Sequence, residues 1–179
     1  MSNKKFDEFI QKQSSPPTIS EIDWAGQLLE WQQYLSKFYE AITLYLKQYI
    51  DEGKIKLTYG EKSIFEEYLG EYKATTATIA FGNNHIKLDP IGTNLIGAKG
   101  RVDMIGTNGH VKFVLVNSDA SAPKISVRIW IQGEEPPPEE DVPKDIKWEW
   151  KIATQPPRIK YFVLNQESFF DALMEVANG

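Results

Sequence analysis

Residues 24–49 read WAGQLLEWQQYLSKFYEAITLYLKQY. Trp24, Leu28, Trp31, Leu35, Phe38, Ile42, Tyr45 and Tyr49 follow one another at alternating steps of four and three. On a helix that spacing puts them all on one apolar stripe, which Ala25, Leu29, Tyr39, Leu46 and Ile50 widen. Upstream, Ser14-Ser15-Pro16-Pro17-Thr18 interrupts regular structure. Thr18 with Glu21 then forms a capping box, so the helix is expected to start there, and Gly53 is its expected stop. A helix of roughly 30 residues reaches about 45 Å, and a stripe of that length needs a covering layer.

The rest of the chain supplies one. Lys54–Tyr59 alternates polar and apolar residues, the period of a half-buried strand. Glu61–Leu69 returns to helical spacing through Ile64, Phe65, Tyr68 and Leu69, and predicts a short helix closed by Gly70. From Tyr72 onward the period is two: Tyr72–Phe81, Ile86–Leu88, Arg101–Ile105, Val111–Val116, Ile125–Ile131, Lys147–Ile152 and Ile159–Leu164 all read as strands. Gly82-Asn83-Asn84 and Thr107-Asn108-Gly109-His110 carry turn chemistry. Glu167–Ala177 is expected to be a closing helix, with Phe169, Phe170, Leu173, Met174 and Val176 on its apolar side.

The expected fold is therefore α+β: a long N-terminal helix on a curved, mainly antiparallel sheet of about six to eight strands, a short helix after the first strand, and a C-terminal helix. The connections are too short for parallel crossovers. In the Lys147 strand, Trp148, Trp150 and Ile152 share one face while Lys147, Glu149 and Lys151 share the other, so the sheet has a buried and a wet side. This order of elements resembles the helix-grip and cone-shaped ligand-binding folds, which implies an apolar small-molecule binder. That reading requires an interior cavity larger than about 300 Å³. Residues 1–17 are read as a flexible tail and 18–179 as a single domain. Within it, residues 133–145 form an acidic, proline-rich loop, Glu134-Glu135-Pro136-Pro137-Pro138-Glu139-Glu140-Asp141-Val142-Pro143. Its carboxylates suit a basic partner.

Composition removes several chemistries. The 179 residues include no cysteine and two histidines. Disulfides, thiolate zinc sites and cysteine nucleophiles are excluded, and neither histidine stands at a metal-ligand spacing. Twenty Lys and Arg against 25 Asp and Glu give a net charge of −5, which does not favour nucleic acid or anionic lipid. The N-terminal residues form no secretory h-region, and no apolar run approaches the roughly 20 residues of a membrane span. The expectation is a soluble cytoplasmic protein without a cofactor.

Four groups of residues are candidates for function. The first is the irregular stretch Gly92–Arg101, in which Gly97, Lys99, Gly100 and Arg101 offer backbone N–H groups and cations to an anion. The phosphate-binding motif Gly-x4-Gly-Lys-[Ser/Thr] is absent, because Ala98 precedes Lys99 and Gly100 follows it. The second is the polar sheet face, where Lys87, Arg101, Lys112, Arg128, Lys147, Lys151 and Lys160 recur and Trp130 stands beside Arg128 as a stacking platform.

The third is Asp103. Gly100-Arg101-Val102-Asp103, followed by a hairpin and the apolar strand Phe113–Val116, resembles the opening of the PD-(D/E)XK nuclease motif. The resemblance implies a metal-dependent phosphodiesterase centred on Asp103, with Glu66 or Glu67 as the helical carboxylate. The second half of the motif departs from the pattern. The chain reads Val116-Asn117-Ser118 where Glu-x-Lys belongs, and Asp119 to Lys124 is a loop where a helix is needed. Asp103 also has a structural reading as the partner of Arg101, two residues away on one strand face. The fourth candidate is the Trp24–Tyr49 stripe itself, regular enough to pair with a second copy as a homodimer. The leading functional expectation is a non-enzymatic interaction or ligand-binding module, with the degenerate phosphodiesterase and the apolar-ligand binder as alternatives.

Overall fold

The computed structural model describes residues 23–93, 95, 97–124 and 146–177. Helix α1 (Trp24–Asp51) is followed by strands β1 (Lys56–Glu66), β2 (Gly70–Phe81), β3 (Asn84–Gly92), β4 (Gly100–Gly106), β5 (Gly109–Asn117), β6 (Trp148–Ala153) and β7 (Tyr161–Val163), then helix α2 (Gln166–Ala177). The seven strands form one open sheet in chain order, and each pairs antiparallel with the next. The fold is α+β.

Asp23 starts α1, its carboxylate accepting the N–H of Gly26 at 2.8 Å. This satisfies one of the orphan donors of the first turn. Thr18 and Glu21 lie outside the described residues, as do the expected strand Ile125–Ile131 and the acidic arm Glu134–Pro143. The helix runs 28 residues. It stops where Gly53 takes φ +69°, a left-handed conformation that glycine adopts without steric cost.

Trp31, Leu35, Phe38, Tyr39, Ile42 and Leu46 are the buried positions of α1. They share one core with Ile79, Ile86, Leu88, Val102, Met104, Phe113 and Leu115 from the sheet and with Phe169, Leu173 and Val176 from α2. At roughly 1.5–3 kcal/mol for each large apolar side chain removed from water, this stripe is the main reason α1 stays on the sheet. Trp150 pins it: the ring lies 4.9 Å from that of Phe38, and its indole N–H donates to the Tyr34 carbonyl at 3.0 Å. The central residues of the stripe are thus covered by the sheet of their own chain. The second helix opens with a reciprocal cap: Ser168 N–H donates to Asn165 Oδ1 and Asn165 N–H to Ser168 Oγ, both at 2.9 Å.

The short helix expected over Glu61–Leu69 is not formed. Residues 61–66 continue β1, paired from Glu61↔Thr75 to Glu66↔Gly70, and residues 67–69 make the turn into β2. Ile64, Phe65, Tyr68 and Leu69 fit helical spacing, yet only Ile64 is buried, and Phe65 is 76% exposed. Pairing with β2 overrides the local pattern.

The β1–β2 hairpin outruns β3, since the last β2–β3 pair at that end is Ala77↔Leu88. Pro90, which has no N–H to donate, lies just beyond. Where the strands part, Tyr39 reaches up from α1 and donates its hydroxyl to the Thr75 carbonyl at 2.7 Å. The free half of the hairpin therefore overhangs one flank of α1.

Candidate functional site

The Gly92–Arg101 stretch uses its residues internally. Lys99 forms an ion pair with Glu30 at 2.5 Å and lies over the rings of Trp148 and Tyr34, at 5.0 and 5.9 Å from their centroids. Its backbone N–H donates to the Leu115 carbonyl. Gly100 is buried against Trp31: a Cβ there would stand 2.1 Å from Cζ3 of the indole. Gly97 lines a pocket of about 380 Å³ with Trp148 and Asn117. The glycine and the lysine that suggested anion binding thus make room for a tryptophan and tie the loop to α1.

The carboxylates are similarly engaged. Arg101 grips Asp103 through Nε and Nη2, each at 2.6 Å, and Asp103 is 7% exposed. Glu66 accepts from the Thr93 N–H (3.0 Å), the Thr93 hydroxyl (2.7 Å) and the Tyr72 hydroxyl, clamping the end of β1 to the β3–β4 connection. That contact, together with burial, pushes the Tyr72 phenol well above its ordinary pKa, with burial the larger cause. Glu67 is exposed in the turn. Among the described residues no three His, Asp or Glu side chains converge where a cation could be held. His85 and His110 are exposed.

Cross-strand register puts Asp89 opposite Asp103, and Asp103 opposite Lys112, on the sheet face away from α1. Two facing carboxylates repel, and cations offset this. Asp89 pairs with Lys62 at 2.9 Å and Lys87 at 3.1 Å, while Asp103 has Arg101. Lys151, 7% exposed, donates to the carbonyls of Ser118 and Ala120 at 2.6 and 2.8 Å. Lys87, Arg101 and Lys151 are thus spent on fixed acceptors, whereas the Lys112, Lys147 and Lys160 side chains have no such partner among the described residues. Arg128 and Trp130 lie outside the described residues.

Burial alone would raise the Asp89 pKa, but the ion pairs with Lys62 and Lys87 outweigh it and hold the carboxyl below its usual value. A folded-state pKa below the unfolded value means stability that is present above the unfolded pKa and lost as pH falls through the folded one. The gap in urea midpoint between the unmodified chain and Asp89→Asn should therefore stay level from pH 8 to about 5. It should narrow below about pH 4, where the unfolded aspartate protonates. A gap that widens in acid would contradict this.

A larger concavity than the one beside Gly97 lies elsewhere, in a place no sequence motif marks. Between the flank of α1 and the overhanging hairpin is a cleft of about 780 Å³. Leu35, Tyr39 and Ala74 form its buried floor, and Tyr59, half exposed, stands in one wall. The Tyr59 ring meets Tyr39 edge-on at 5.7 Å, and its hydroxyl bonds that of Thr43 at 2.6 Å. Two acids and two lysines stand along the rim, Glu40 and Glu61 with Lys47 and Lys73, so the charges balance. Burial raises the Tyr39 phenol well above its ordinary pKa, with Asp89 and Tyr59 adding to it, so the group stays protonated and keeps donating to Thr75. The cleft lies where β2 parts from β3 beyond the Ala77↔Leu88 pair, with the Tyr39 hydroxyl bonded to the Thr75 carbonyl there, an arrangement that spacing along the chain does not reveal.

No protein-family model, no curated protein and no solved structure matches the chain. No helix among the described residues is long and apolar enough to cross a membrane.

Proposed function

We propose that the protein is a non-enzymatic binding module that takes a small ligand in the cleft between α1 and the β1–β2 hairpin. The observation that carries this is the cleft itself. About 780 Å³ lies within the roughly 300–1,000 Å³ of small-molecule sites, with a buried apolar floor and a few fixed hydroxyls. The balanced rim suits a ligand with little net charge, one that sets an apolar face on Leu35 and Tyr59 and meets Thr43 and the rim with polar groups. The engaged state of Lys99, Arg101 and Asp103 favours the cleft over the Gly92–Arg101 stretch as the recognition surface.

Amide chemical-shift mapping against a library of small neutral and zwitterionic compounds tests the reading. Binders should shift residues 35–44, 59–61 and 73–75 together. Ser36→Trp, placed at an exposed helix position that lines the cleft, should abolish binding while leaving the melting temperature within about 2 °C, as expected for a surface substitution. Binders that map elsewhere and survive Ser36→Trp would overturn the assignment.

A further inference from the structure

A second cavity, of about 370 Å³, opens under the last turns of α1, between the α1–β1 connection, the end of β2 and helix α2. Leu46 and Leu173 are its buried floor, and Phe81 and Phe170 contribute its walls. Tyr49 and Met174 stand at the mouth, 36% and 56% exposed, and the Tyr49 ring meets Phe170 edge-on at 5.7 Å. We infer that this cavity is a binding site for one small, uncharged apolar molecule of one or two rings.

Two observations select that class. First, size and lining: an apolar cavity of about 150 Å³ in a protein core already admits benzene, and this one is more than twice that and reachable from solvent. Second, charge: among the described residues Lys54 is the only ionised side chain lining it, and Glu52 pairs with that ammonium at 2.6 Å. The described residues at the mouth therefore present no unpaired charge of either sign. An acid or an amine would have to displace that ion pair or leave its own charge beside apolar carbon, whereas a neutral ring pays neither cost. Met174, unbranched and polarizable, lets the mouth adjust to the shape of the guest. The inference is independent of the cleft, which lies on the hairpin flank of α1.

The test uses the neutral dye N-phenyl-1-naphthylamine and its anionic counterpart 8-anilinonaphthalene-1-sulfonate with the full chain. The neutral dye should bind at one site with enhanced, blue-shifted emission, and at least tenfold tighter than the sulfonate. Met174→Trp, at an exposed position that closes the mouth, should weaken the neutral dye at least tenfold while leaving the melting curve in place. Ser36→Trp should leave dye binding unchanged, which separates this site from the cleft. Absence of neutral-dye binding, tighter binding of the sulfonate, or binding that Met174→Trp leaves intact would each overturn the inference.

Discussion

Gly100→Ala is expected to cost about 3 kcal/mol of stability, the upper end of the usual range for overpacking a filled core. For a chain of this size that is roughly 6–12 °C in Tm. The added Cβ would meet Cζ3, Cε3 and Cη2 of Trp31 at 2.1, 2.5 and 2.9 Å. Trp31 is fully buried and its ring lies 6.0 Å from that of Trp150, so it has little freedom to retreat. The contact belongs to the six-membered ring of the indole, which Trp31→Phe removes. That substitution opens space and should itself cost about 2 kcal/mol. In the Trp31→Phe background, Gly100→Ala should cost less than about 1 kcal/mol, so the two changes couple by about 2 kcal/mol. Additive losses in denaturant melts would show that Gly100 is needed for its backbone freedom and not for the space it leaves.

This glycine illustrates what could be read from the chain. The stripe from Trp24 to Tyr49 announced a helix against a sheet because its period follows from geometry within one element, and period-two runs announced the strands for the same reason. The stretch Gly97 to Arg101 announced only flexibility and charge. Its roles depend on Trp31, Glu30 and Trp148, which lie far from it in sequence. The end of β1 imitates a helical pattern because Ile64 is buried on one face while Phe65 is exposed on the other, and Tyr68 stands exposed in the turn that follows. Both cavities are likewise products of assembly. One lies where two strands part beside Tyr39, and the other follows from α2 crossing the end of α1. Sequence spacing carries no signal for either. The two readings of Asp103, metal carboxylate and partner of Arg101, are both legible in the sequence, and the structure shows the contact behind the second: both carboxylate oxygens accept from one guanidinium.

Asp103→Ala should accordingly act on stability and not on catalysis. Removing one member of a buried ion pair leaves the other without compensation, at about 3–5 kcal/mol where burial is complete. The Arg101 side chain is 25% exposed, so water recovers part of that, and a loss of about 2 kcal/mol is expected. The loss should be a little smaller than for Arg101→Met, which leaves the more buried partner, the carboxylate, without compensation and opposite Asp89. Its cross-strand neighbours sharpen the prediction. Lys112 faces Asp103 and Asp89 lies on its other side, so deleting the carboxylate also relieves a like-charge contact while leaving Arg101 beside Lys112. Replacing both partners, Arg101→Met with Asp103→Leu, removes the desolvated charges together and should recover most of the stability. Neither the unmodified chain nor any of these variants should cleave single- or double-stranded DNA or RNA in the presence of Mg²⁺. The decisive comparison is therefore between a denaturation series and a nuclease assay on the same four proteins, the unmodified chain and these three variants. Recovery in the double variant with no cleavage throughout establishes a structural ion pair. Mg²⁺-dependent cleavage by the unmodified chain that disappears in Asp103→Ala would replace it with the phosphodiesterase.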